Sequence, residues 1–174
     1  SLLESEDVVE EKKDESIFVS QESFDRLKAD LDLLVSKKIP ENSEAIGKAL
    51  ELGDLRENAE YQMAKDDQKI LLARRSEFEQ SLSKAQITDF SDTPTDSLGI
   101  GSEVELFDET AKENLRYVIL GAWDGDPDRN ILSYKTPLGQ SLLQKKVGDV
   151  VETEVEGEKR SWKIIKLARW IDKQ

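Results

Sequence analysis

The stretch Gly53-Asp54-Leu55-Arg56-Glu57-Asn58-Ala59-Glu60-Tyr61 lies between two long segments of helical apolar spacing, and its reading decides the fold. Gly53 lets the chain reverse, because a residue without Cβ enters the left-handed backbone that ends a helix at little cost. Asp54 stands where it can cap a second helix, and Glu57 follows three residues later. Carboxylates in these places favour a helix N-terminus for structural reasons alone, through capping and the macrodipole. Spacing by itself therefore assigns the two acids no more than a helix start.

Upstream, Ser20 offers an N-cap, although a full capping box would want Glu or Gln where Ser23 stands, and the nearest glutamate is Glu22. Phe24, Leu27, Leu31 and Leu34 then recur at three- and four-residue spacing, and the seam resumes with Ile46 and Leu50. Pro40 interrupts it and is expected to kink the helix or remove one hydrogen bond. A helix from Ser20 to Leu52 would run roughly 50 Å at ~1.5 Å per residue. Downstream, Ala64, Leu71, Phe78, Leu82 and Ala85 share one face, and the helix should end near the loop Asp89 to Pro94. Two long helices joined by a short turn run antiparallel, so 18–90 is expected to form a coiled-coil hairpin with its tip at 53–61. A pair of helices from an ordinary bundle would show the same periodicity.

After an expected linker at 91–98 the period changes. Val104 and Leu106 alternate with polar residues, and Leu115 to Leu120, Ile131 to Tyr134, Val150 to Val155 and Trp162 to Leu167 read as strands. Turns are marked by Asp124-Gly125-Asp126-Pro127, Val147-Gly148-Asp149 and Glu156-Gly157-Glu158. Pro137 with Leu138, Leu142 and Leu143 suggests one short helix. Residues 99–174 thus read as a small sheet domain with a helix packed on it, and the chain as α+β. Trp123, Trp162 and Trp170 are expected in or at the rim of its core.

Composition narrows the chemistry. Among 174 residues there is neither Cys nor His, so disulfides, thiolate metal sites and imidazole catalysis are closed. Charged residues make up 36% against 37% hydrophobic, which suits helices with much solvated surface beside a modest core. A net charge of -13 repels phosphate backbones, so binding to free nucleic acid is not expected. No segment has the apolar length of a membrane span and no signal peptide is visible, which points to a cytoplasmic protein. Residues 1–17 carry seven acids against two lysines and read as a flexible acidic lead-in. A start at Ser1 rather than Met fits a processed chain or a piece of a longer one.

The order of all nine tip residues is more specific than their spacing. GDLRENAEY resembles the tip motif of the GreA/GreB family of bacterial transcript-cleavage factors, in which Lys or Arg precedes Glu-Asn. The resemblance runs over about residues 20 to 170. Ile39-Pro40, the loop near Asp89 to Asp96, the segment TPLGQSLLQKKVGDVV and Leu98-Gly99-Ile100-Gly101-Ser102-Glu103-Val104 all fall where the family has equivalents. It implies a C-terminal domain with an FKBP-like fold and bacterial RNA polymerase as the partner. The hairpin would enter the polymerase's secondary channel and act on backtracked nascent RNA within the elongation complex, where RNA and DNA are both at hand. Asp54 and Glu57 match the two acids that help hold a Mg²⁺ shared with the polymerase and orient the attacking water. The chain would then be no enzyme itself but an activator of the polymerase's own nuclease. With only two carboxylates it should bind no metal tightly alone.

The same resemblance gives Arg56, Asn58 and Tyr61 a role in supporting the tip or touching the transcript, and lets Lys65 approach RNA phosphate. Tyr61 could equally pack one helix on the other, and Lys65 could be plain surface. Thr136, Pro137, Leu138 and Gly139 match the loop that grips the channel rim; a structural helix start explains them as well. Two departures stand out. Leu50 occupies a place, three before the glycine, that is basic in some members, which favours short RNA products. Gln144-Lys145 replaces a frequent Gly-Lys. Rival readings are a polymerase-binding inhibitor of the same shape, a peptidyl-prolyl isomerase and a coiled-coil adaptor.

Overall fold

The computed structural model describes residues 16–53 and 55–174, with backbone alone for 55–58 and 155. The acidic lead-in up to residue 15 therefore lies outside the described residues. The chain divides into two compact units, one spanning Phe24–Ala85 and the other holding the chain up to Ser23 together with Gln86–Gln174. The fold is α+β, as the change of period from 3.6 to 2 foretold.

Strand β1 (Ile17–Val19) leads into helix α1 (Gln21–Leu33). Ser20 caps that helix: its hydroxyl accepts the backbone N–H of Ser23 at 3.1 Å. After α1 come a π-helical turn at Leu34–Lys38, helix α2 (Ile39–Leu52) and helix α3 (Leu55–Lys84). Pro40 lies in the first turn of α2; the helical path continues through it, but without an N–H it donates no backbone hydrogen bond there. Its ring would collide with the carbonyl four residues back in a regular helix, and the wider π turn just before it relieves that clash.

The π turn has a second consequence. A π turn inserts one residue into the helical repeat, so the inward face shifts by one position beyond it. Before it the inward residues are Phe24, Leu27, Leu31 and buried Leu34; after it they are Asn42, Ile46 and buried Ala49. Leu50, expected on the seam, is 62% exposed, and Ala49 has its place. The inward face of α3 carries Tyr61, Ala64, Gln68, Leu71, Phe78 and Leu82, and Ala64 is buried. α3 ends at Lys84, earlier than its apolar spacing suggested. Ala85 instead opens strand β2 (Ala85–Ile87), which pairs with β1.

The other unit is built on a five-stranded sheet in the order β5-β4-β3-β7-β6. Its strands are β3 (Ser102–Asp108), β4 (Glu113–Leu120), β5 (Ile131–Ser133), β6 (Val150–Val155) and β7 (Glu158–Arg169). β4 and β5 run parallel and the other neighbours antiparallel, with a bulge in the β3–β7 pairing between Glu105 and Leu106. One face buries Val104, Leu106, Ile119 and Trp162 together with Leu142 of helix α4 (Pro137–Leu142). The opposite face buries Val118, Leu120 and Ile131 with Phe90, against which Trp170 packs edge-on at 5.8 Å. Trp123 is half-buried. Within 91–98, read as a linker, Thr93 and Leu98 are buried, and Leu98 donates its N–H to Lys145 O at 2.7 Å.

The segments missed by periodicity, β1 and β2, are three residues each, too short for a period to show. β1 is held from several sides. Phe18 N–H donates to the Tyr134 hydroxyl at 3.0 Å, Ala122 N–H to Phe18 O at 2.7 Å, and Thr88 N–H to Val19 O at 2.9 Å.

Candidate functional site at the hairpin tip

α2 stops because Gly53 turns left-handed, at φ 71° and ψ 13°. A Cβ there would meet no atom within 4 Å, so the glycine is required by backbone conformation and not by crowding. α3 resumes at Leu55, which leaves Gly53 and Asp54 as the whole connection between two packed helices. Asp54 lies outside the described residues, as do the side chains of Arg56, Glu57 and Asn58. The backbone of Glu57 is in the first turn of α3.

The residues behind the tip are described in full. Tyr61 is half-buried on the inward face of α3, one turn from buried Ala64. Lys65 is half-buried and donates to Gln68 Oε1 at 3.0 Å, so its ammonium is engaged along its own helix. Asn42 reaches across from α2, its side-chain amide donating to Ala64 O at 3.0 Å. Leu50, Leu52 and Met63 are exposed, as are the acids Glu51 and Glu60. Among the described residues no three of His, Cys, Asp and Glu come together as a metal site. Sequence reading missed Asn42, since a polar residue carries no weight in an apolar seam and the π turn had displaced the count by one.

The second candidate region splits in two. Thr136 caps α4: its hydroxyl accepts Gly139 N–H at 3.1 Å and donates to Ser133 O at 2.8 Å. A Cβ on Gly139 would stand 2.7 Å from Ser133 O and 2.9 Å from Thr136 Oγ1, so only glycine fits. Leu138 packs on the main core of the sheet. Of the four, Pro137 alone is exposed, between exposed Lys135 and Gln140.

Two carboxylates in this unit have displaced pKa values: hydrogen bonds from Ser91 lower that of exposed Asp89, and Glu103 is the buried case. Burial pushes the Glu103 carboxyl up, but hydrogen bonds and charge from Arg116 and Lys173 outweigh it and hold the group below the ordinary glutamate range. Lys173 Nζ lies 2.9 Å from it and Arg116 bonds its other oxygen. This cluster ties β3 to β4 and to the last turn of the chain, and so reads as structural.

Comparison with known proteins supplies the remaining observation. The family described as "Transcription elongation factor, N-terminal" matches residues 17–87, and "Transcription elongation factor, GreA/GreB, C-term" matches 93–169. A transcription elongation factor GreA of Treponema pallidum is 35% identical over 152 residues, 87% of this chain and 94% of that protein. One of Borreliella burgdorferi is 40% identical over 127 residues, 73% of this chain; the match spans only 14% of that longer protein. The crystal structure of GreA factor homolog 1 (Gfh1) of Thermus thermophilus superposes with a TM-score of 0.41 at 22% identity, covering 88% of this chain and 99% of that one. Among the described residues no helix is long and apolar enough to cross a membrane.

Proposed function

The chain belongs to the GreA/GreB family of transcription elongation factors, and on that premise we propose that it brings the tip of its hairpin to the catalytic centre of bacterial RNA polymerase and stimulates cleavage of backtracked RNA. The observation that carries this reading is the turn itself. A left-handed Gly53 ends one helix and the next begins two residues later, so GDLRENAEY occupies the end of a hairpin. A tip of this kind can enter a channel that a globular surface cannot.

Asp54 and Glu57 are the working groups in this reading. A divalent cation in such a site acidifies a bound water and offsets charge on the scissile phosphate. Carboxylates are the oxygen donors Mg²⁺ takes, but two are too few for its octahedral shell. The described residues add no cluster of acids to complete one. The donors are right in kind and short in number, which suits an ion shared with the polymerase's own carboxylates. The two acids then supply negative charge beside the reacting phosphate and accept a hydrogen bond that orients the attacking water.

Arg56 and Asn58 support the tip or touch the transcript. Tyr61 is half-buried on the inward face behind it, and Lys65, already bonded to Gln68, lies further from the turn. Pro137, flanked by Lys135, is the exposed point of the loop that would seat against the channel rim. The experiment is addition of the full chain to stalled, backtracked bacterial RNA polymerase carrying end-labelled RNA. Shortened transcripts that restart on nucleotide addition support the proposal. Binding to polymerase with intact RNA replaces it with an inhibitory role.

A further inference from the structure

The amide of Asn42 has no part in the chemistry just described, yet it joins the two arms of the hairpin. It donates to Ala64 O at 3.0 Å from a half-buried seam position. Asn42 and Ala64 each stand eleven residues from Gly53, about three helical turns or ~16 Å along the arms. Facing pairs in an antiparallel hairpin determine where its turn falls. If the turn moves along the chain, every facing pair changes, and this bond is lost.

The seam resists such a slip weakly. Between Asn42 and the turn, and at the matching level of α3, the fully buried knobs are Ala49 and Ala64, whose single methyl groups fit many holes, beside half-buried Ile46 and Tyr61. Further back, Gln68 lies on the inward face of α3 and Arg75 holds the next heptad place. A competing turn is also written in the sequence. Asn58 is of a residue type that tolerates left-handed backbone, and a turn there would move Glu57 from the start of α3 to the end of the preceding arm. One amide at a seam position discriminates among registers at some expense of stability, because apolar knobs alone do not.

We propose that Asn42 is a positioning residue for the tip, holding the turn just after Gly53 and so keeping Glu57 in the first turn of α3. The proposal rests on the reading of Asp54 and Glu57 as the working groups, and it is testable apart from it. The chain has no Cys, and Ser43 and Ser76 are both exposed on the hairpin arms, so Ser43→Cys with Ser76→Cys gives two spin-label sites. The full chain with Asn42 should give one narrow label-to-label distance. Asn42→Leu should add a second population displaced by several ångströms, at ~1.5 Å of axial shift per residue of slip.

In the cleavage assay Asn42→Leu should lower the rate at saturating factor at least threefold while the half-saturating concentration stays unchanged. Its thermal midpoint should not fall. A merely structural residue would move midpoint and rate together, and that outcome overturns the proposal. A single unchanged distance overturns it whatever the polymerase assay gives, and so does a broadened distance with an unaltered rate. If the chain with Asn42 promotes no cleavage, the functional reading fails, and the distances alone decide whether Asn42 sets the register.

Discussion

The carboxylate of Asp124 and the hydroxyl of Ser20, 104 residues apart in the chain, meet at 2.5 Å. Around them Asp124 also accepts the Ser20 N–H at 3.2 Å, the Gly121 N–H at 2.8 Å and the hydroxyl of Ser23. One side chain thus satisfies four donors where β1 passes into α1 beside the end of β4. Removal of Asp124 strands two backbone N–H groups, and each such loss costs about 1–3 kcal/mol. Asp124→Ala should lower stability by roughly 2–3 kcal/mol, read by urea unfolding followed through tryptophan fluorescence. A loss below about 0.5 kcal/mol, the size of an ordinary surface change, would show that water replaces the carboxylate.

The Thr136–Gly139 loop should separate under mutation. Gly139→Ala forces a methyl against Ser133 O and should cost roughly 1–3 kcal/mol of stability. Pro137→Ala, at an exposed position, should leave the thermal midpoint nearly unchanged and weaken binding to polymerase. If Pro137→Ala binds as the unaltered chain does, this loop is only the start of α4.

Glu103 gives a pH dependence of defined sign. Its folded pKa lies below the unfolded value, so the stabilisation is complete above the unfolded pKa and is lost as pH falls through the folded one. Lys173→Ala or Arg116→Ala should raise the Glu103 pKa in an NMR titration and shift acid unfolding to higher pH. An unmoved titration in both variants would mean that neither cation stabilises the carboxylate.

Much of this architecture could be read from residue pattern because the signals were local and repeated. Leu27, Leu31 and Leu34 announce a helix by spacing, and the β6–β7 hairpin is announced by Glu156-Gly157, which both take positive φ, at 53° and 81°. The hairpin's exact seam was not readable, because Ala49 and Leu50 stand three and four residues from inward Ile46, both at helical spacing, and the larger side chain is the one left exposed. Asp124 read only as a turn residue, since its role depends on Ser20 and Ser23 about a hundred residues away. At the tip, motif order spoke where spacing did not: D-x-x-E marks any helix start, and only the nine residues together point to a family.

Gly53 should tolerate substitution only through its backbone. Since a Cβ there meets nothing within 4 Å, Gly53→Ala should cost about 1–2 kcal/mol, the penalty of left-handed backbone for an L-residue. Gly53→Asn should cost less. Thermal melts of helicity would check both, and equal losses for the two would mean that crowding, not φ, excludes side chains.

The most direct measurement is the rate of RNA shortening in backtracked bacterial RNA polymerase with the unaltered chain and with an Asp54→Ala, Glu57→Ala variant at the same saturating concentration. The account predicts that the variant keeps its thermal midpoint to within a few degrees and competes with the unaltered chain for polymerase, while cleavage falls at least a hundredfold. Cleavage at an undiminished rate by a variant that binds polymerase would contradict it, and would remove Asp54 and Glu57 from the reaction.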